Sequence, residues 1–263
     1  MLIDSHCHLP HNLAAAKQVI DNARNEGVVG FVNIGTSISD NKSALKTAQG
    51  FTNVYSTVAI YPHENMDKSL DDLQKHLKEM LANNPGKIVA VGECGIDITE
   101  WKGGRSVEDQ IKLFEMQIKI ALEHDLPLVI HTRNGDEIVL NLFNKYKNSR
   151  LRGVIHCFSS SWEVAQKYLD LGFYISFSGL ITYPSRKQLL ETVKGIPDDK
   201  FLVETDSPYL PPQGYRGQTN EPKYVKIVAQ KVAEVREVPF EQVSKFTYES
   251  TCQVFNLNKD LLV

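Results

Sequence analysis

Two histidines two residues apart, His6 and His8, stand just behind the first apolar residues in the run Asp4-Ser5-His6-Cys7-His8-Leu9. Side chains alternate between faces along an extended strand, so both imidazoles are expected on one face and Cys7 on the other. Two nitrogen donors on one face are half of a metal site. The other half must come from elements elsewhere in the chain.

Those elements read as strands alternating with helices. Short apolar runs rich in β-branched residues mark strands at Leu2–His6, Val28–Ile34, Val54–Ile60, Ile88–Glu93, Leu128–His131, Gly153–His156, Phe173–Phe177 and Phe201–Glu204. Between them, helical spacing brings Ile111, Phe114, Ile118 and Leu122 onto one face of Val107–His124, and Leu73, Leu77 and Leu81 onto one face of Leu70–Leu81. Pro127, Pro197 and the pair Pro85-Gly86 stand where helices should stop. Two further helical stretches, about Glu221–Val235 and Phe240–Phe255, follow the last strand. Repeated strand and helix units without a Gly-, Ser- or Pro-rich linker predict the α/β class, as a (β/α)₈ TIM barrel with eight parallel strands. A single domain over residues 1–263 is expected, since about 250 residues is the usual length of one such barrel. An open dinucleotide-binding sheet is the alternative, but no Gly-x-Gly-x-x-Gly follows a strand.

Barrels of this kind carry their active sites at the C-terminal strand ends. There stand His6 and His8 on the first strand, Glu93 on the fourth, His131 on the fifth, His156 on the sixth and Asp206 just past the eighth. Four imidazoles and two carboxylates are enough donors for two divalent cations. His11, His76 and His124 fall outside this pattern and read as surface or structural residues. Cys7, Cys94 and Cys157 each neighbour a proposed ligand, so alternation predicts that they face the packing between strands and helices.

Composition narrows the function classes. The net charge of −3 argues against coating long stretches of duplex, which needs a basic face, and leaves room for gripping a few phosphates. No apolar run approaches a membrane span, so no membrane association is expected. The N-terminus has no basic region ahead of an apolar one, so a cytoplasmic location with free cysteines is expected.

The motifs Asp4-Ser5-His6-Cys7-His8-Leu9, Val91-Gly92-Glu93-Cys94-Gly95, His131-Thr132-Arg133, His156-Cys157-Phe158 and Glu204 to Leu210, with Arg216-Gly217 and Asn220-Glu221-Pro222 after them, resemble the TatD family of metal-dependent deoxyribonucleases across nearly the whole chain. The resemblance implies a barrel of the amidohydrolase superfamily, with His6, His8, Glu93, His131, His156 and Asp206 as metal ligands. It implies nucleic acid as the partner, hydrolysed at phosphodiester bonds from a 3′ end. One departure stands out: where the family reads Gly-x-His-Pro-His, this chain has Ala59-Ile60-Tyr61-Pro62-His63.

The expected mechanism uses two divalent cations about 4 Å apart, bridged by Glu93 and by a water that they acidify, with Asp206 accepting its proton. Imidazoles favour zinc or nickel as purified, whereas carboxylates and phosphate oxygens tolerate magnesium or manganese in catalysis. His63, Arg133 and Arg216 are the expected substrate-binding residues, the guanidinium of Arg133 being able to meet two phosphate oxygens at once. The alternatives are an ion pair of Arg133 with Asp136 and an Arg216 that only orders its loop. Glu204 is expected to anchor a ligand from behind. Two other classes remain open: hydrolysis of another bond on the same site, such as a cyclic amide or a misacylated tRNA ester, and a non-catalytic partner protein. No obligate protein partner is expected.

Overall fold

The computed structural model describes all residues except Pro85, Glu100 and Val263, so the expected helix stop at Pro85 lies outside the described residues. Eight parallel strands follow one another in sequence order: β1 (Leu2–Cys7), β2 (Val28–Asn33), β3 (Val54–Val58), β4 (Ile88–Asp97), β5 (Leu128–Arg133), β6 (Gly153–Ile155), β7 (Tyr174–Phe177) and β8 (Phe201–Val203). The ring is drawn together beyond β8, where Asp206 N donates to His6 O and His8 N donates to Ser207 O at 2.9 and 2.7 Å. The expected (β/α)₈ class is therefore the one the chain adopts.

Helices α1 (Leu13–Asn25), α2 (Ile38–Gly50), α3 (Leu70–Asn83), α4 (Val107–Glu123), α5 (Asp136–Asn144), α6 (Trp162–Asp170) and α7 (Leu189–Gly195) lie between strands. Serine side chains cap three of them. Ser37, Ser69 and Ser106 accept from the backbone N–H three residues on, satisfying donors that a helix leaves orphaned at its first turn. α8 (Val225–Arg236) and α9 (Phe240–Phe255) pack over β8 and β1, where the ring closes. The expected start of α8 near Glu221 is replaced by a 3₁₀ turn, Pro222–Tyr224. Proline supplies no N–H and fixes φ, which suits a turn that precedes a helix.

Every strand contributes to the cluster that fills the barrel interior: Ile3, Val32, Tyr55, Val89 with Ala90, Val129, Val154, Tyr174 and Leu202. Cys252, Phe255, Leu257 and Leu262 join the same cluster from the C-terminal segment. A Cβ on Gly30 would come within 2.5 Å of Leu262, so that residue must be small for the segment to seat. Apolar residues thus fill the barrel below, and the polar strand ends above are left to the site.

Two strands run two or more residues past their expected ends. β4 continues to Asp97 and β5 to Arg133, paired residue by residue through Gly95 and His131, Ile96 and Thr132, and Asp97 and Arg133. This ribbon rises above the rim. Its register skips at Glu93, which stands unpaired between Gly92 opposite Val129 and Cys94 opposite Ile130. Such a bulge re-aims a side chain.

Candidate metal centre and substrate cavity

Glu93 is the hub of the six converging residues. Its Oε1 lies 2.8 Å from His131 Nδ1 and 3.1 Å from His156 Nε2, and its Oε2 lies 3.4 Å from His6 Nε2 and 3.9 Å from His8 Nε2. Each carboxylate oxygen therefore faces its own pair of imidazoles. Asp206 Oδ1 closes the second group, 3.5 Å from His6 Nε2 and 3.7 Å from His8 Nε2. His6 stacks on His156 at 3.9 Å between centroids.

The donors fit cations. His6 is fully buried, yet neither ring nitrogen has a hydrogen-bond partner. Leaving both bare among carboxylate oxygens would be costly, and a cation held between them removes that cost. Burial, with His156 alongside, holds the His6 imidazole below its ordinary pKa and so unprotonated, the form that ligates. Burial alone would also lower His156, but Glu93 and Glu204 outweigh it and hold the ring well above its ordinary value. Against burial, neighbouring imidazoles keep Glu93 well below the usual carboxylate range, with His156 foremost, and Asp206 is lowered chiefly by His8. Protons on imidazoles thus balance the carboxylates wherever a cation does not.

Two further carboxylates orient the imidazoles from behind. Glu204 Oε1 lies 3.2 Å from His156 Nδ1 and accepts from Cys157 N at 2.7 Å, the anchoring position that was expected. Asp97 was missed. Its Oδ2 lies 3.5 Å from His131 Nε2 and accepts from Tyr61 Oη at 2.9 Å, and it sits four residues after Glu93 on β4. A histidine that faces a metal with one nitrogen commonly hands its other N–H to such a carboxylate. The signal was Tyr61 itself, whose hydroxyl also lies 3.2 Å from His131 Nε2.

Above the cluster opens a cavity of about 850 Å³. Arg133 lines it, and Asp136 is engaged instead by Thr132, Ser160 and Tyr168 at 3.3, 2.5 and 2.9 Å. Two of the expected substrate residues are placed elsewhere. His63 Nδ1 accepts from Arg105 N at 3.1 Å and its Nε2 lies 3.2 Å from Asp97 O, so both ring nitrogens are spent on the backbone and none is left for a phosphate. Arg216 lies 5.0 Å over the Tyr183 ring and does not line the cavity. Arg186, at the end of the 3₁₀ turn Pro184–Arg186, does.

His11 is exposed, as expected of a surface residue, and stands at the edge of the cavity with its Nε2 2.9 Å from Asp40 Oδ1. One other expectation is corrected. Cys7 and Cys94 are buried in packing as expected; Cys157 also packs against the core but borders the cavity as well, with its Sγ 3.1 Å from Ser178 Oγ. β6 ends at Ile155 and Cys157 takes φ of 47°, so strand alternation does not govern it. Burial, with Asp206 nearby, pushes its thiol up, the opposite of what a reactive thiolate needs.

A parallel barrel with imidazoles and carboxylates gathered at its strand ends defines the class of metal-dependent hydrolases. Within that class the chain belongs to the TatD related DNase family, whose model matches residues 3–256. It is 34% identical over 260 residues to an uncharacterized metal-dependent hydrolase, YabD, of Bacillus subtilis, covering 98% of this chain and 100% of that one. It is 32% identical to YcfH of Escherichia coli, another uncharacterized metal-dependent hydrolase, over 99% and 98% of the two chains. The crystal structure of YjjV, a TatD homolog of Escherichia coli, superposes with a TM-score of 0.90 at 28% identity, over 98% of both chains.

Proposed function

We propose that this hydrolase cleaves phosphodiester bonds of DNA, releasing nucleotides from the 3′ end of single strands at a centre of two cations. Glu93 carries the reading, because each of its two oxygens faces a separate pair of imidazoles. Glu93, His131 and His156 would hold one cation, and His6, His8, Asp206 and the other oxygen of Glu93 a second. Bound divalent cations would polarise the phosphoryl oxygens, acidify water and offset the charge of the transition state. With four imidazoles in the set, zinc or nickel suits the resting protein, and magnesium or manganese suits turnover on phosphate oxygens.

The chain's own residues do the rest. Asp206, ionised at neutral pH, takes the proton of the attacking water and returns it to the leaving oxygen. Arg133 and Arg186, both on the cavity wall, orient the phosphate. Glu204 and Asp97 keep His156 and His131 turned towards Glu93. The test incubates protein with added magnesium, manganese or zinc and with single strands of DNA or RNA labelled at the 5′ end. A ladder shortening one nucleotide at a time from the 3′ end is expected on DNA. Internal cuts without that ladder overturn the exonuclease reading, and intact strands with every ion overturn the nuclease.

A further inference from the structure

The loop after β4 carries an exposed indole that is held in place from three sides. Trp101 is 51% exposed and lines the cavity. One face of its ring stacks on the His63 imidazole, 4.9 Å between centroids at an interplanar angle of 24°. Its Nε1 donates to Thr99 Oγ1 at 3.0 Å, and that hydroxyl donates in turn to Asp97 Oδ1 at 2.5 Å. His63 is fixed between Arg105 N and Asp97 O, with its Nδ1 accepting and its Nε2 donating. A Cβ on Gly104 would lie 2.8 Å from both His63 Nδ1 and Trp101 Cβ, so the backbone at Gly104 packs directly against the pair.

An exposed indole ordinarily samples several rotamers. Here one face is covered by an imidazole, the Tyr61 ring stands tilted alongside at 6.4 Å, the N–H is committed, and the half of the ring left exposed borders the cavity. Fixing the ring beforehand lowers the ordering cost of binding a flat partner. The anchor is Asp97, the same carboxylate that sits behind His131, so the platform and the candidate centre share one rigid ribbon.

We propose that Trp101, backed by His63, is the platform on which a nucleobase of the substrate strand stacks beside the bond to be cut. The proposal rests on the nuclease reading above and deepens it: an unpaired base presents a π face of the right size, and stacking accepts any of the four bases. It also assigns His63 a role that its committed nitrogens permit, as the support beneath the indole.

Two measurements test it, and they separate the platform from the nuclease. In the first, deoxyadenosine monophosphate and deoxyribose 5-phosphate are titrated against tryptophan fluorescence. The chain has two tryptophans, and Trp162 packs against Gly195 away from the cavity. The nucleotide is expected to quench the native protein, the sugar phosphate is not, and the nucleotide-dependent change is expected to vanish in Trp101→Phe. No quenching, or equal quenching by both, or quenching that survives Trp101→Phe overturns the platform. In the second, hydrolysis is compared for a single strand and for strands lacking the base on either nucleotide flanking the terminal linkage. Loss of one of these bases is expected to lower kcat/KM by about tenfold, chiefly through KM, and Trp101→Ala to bring that ratio near one while Trp101→Phe keeps most of it. A ratio unchanged in Trp101→Ala overturns the proposal. Base-specific quenching without hydrolysis of any strand would uphold the platform and overturn the nuclease.

Discussion

Glu93 can be changed by a single atom, which makes it the sharpest test at the residue scale. Glu93→Gln keeps the volume and one acceptor while removing the charge that faces four imidazoles. We expect a folded protein, judged by circular dichroism, with activity down roughly 100-fold or more and fewer cations bound per chain. Unchanged turnover would remove Glu93 from the mechanism. The imidazoles predict a pH dependence as well. His8, His131 and His156 are held above their ordinary pKa, against the effect of burial, by Asp206 for His8, Asp97 and Glu93 for His131, and Glu93 and Glu204 for His156. Raised values shift these rings towards the protonated form, His156 furthest, and a cation needs the unprotonated nitrogen. Metal uptake near pH 7 is therefore expected to release protons, and apparent affinity to fall as pH is lowered. Calorimetry in two buffers of different ionisation enthalpy measures the release; none at pH 7 contradicts the assigned protonation. At this scale the meeting of the six residues was legible because a parallel barrel orders the chain by strand end. Asp97 and Arg186 were not, because nothing in their local pattern says which cavity a carboxylate or guanidinium will line.

The ribbon of β4 and β5 is the element on which the site depends most. Gly95 takes φ of +145°, a region that other residues rarely adopt, and a Cβ there would lie 1.9 Å from the carbonyl oxygen of His131. β4 and β5 therefore approach only because position 95 has no side chain. Gly95→Ala must displace the backbone that carries His131, and we expect a loss of about 3 kcal/mol or more in stability, by the usual scale of strain and overpacking. Metal stoichiometry should fall too, since His131 leaves Glu93. Denaturant unfolding and metal analysis of the purified variant check both, and a native-like variant would show that the ribbon has slack. Strand existence was legible for all eight elements, because each has a buried apolar stretch that includes Val or Ile. The extension of β4 and β5 was not, since Gly95 reads as a break until the close approach it permits is seen.

For the whole molecule, shape and charge decide how a strand is taken. The centre lies in a cavity ringed by loops, so a strand end can enter where the middle of a duplex cannot. A chain of net charge −3 with Arg133 and Arg186 at that cavity can neutralise only a few phosphates. Counterion release then predicts a shallow slope of log affinity against log salt, between about −1.4 and −2.8 for two to four phosphates on single strands. A circular single strand should resist degradation that consumes its linear form across the same salt series. Equal cutting of the circle, or a much steeper slope, overturns end entry and leaves the metal centre standing. The amino-acid order by itself determined the barrel and the convergence of His6, His8, Glu93, His131, His156 and Asp206, because alternation of strand and helix is a local signal and strand ends meet by topology. Only the tertiary structure decided that His63 supports an indole, that Arg216 stacks on Tyr183 away from the cavity, and that Cys157 faces it. Those residues lie in loops, where the direction of a side chain is set by contacts with distant segments and no periodicity carries it.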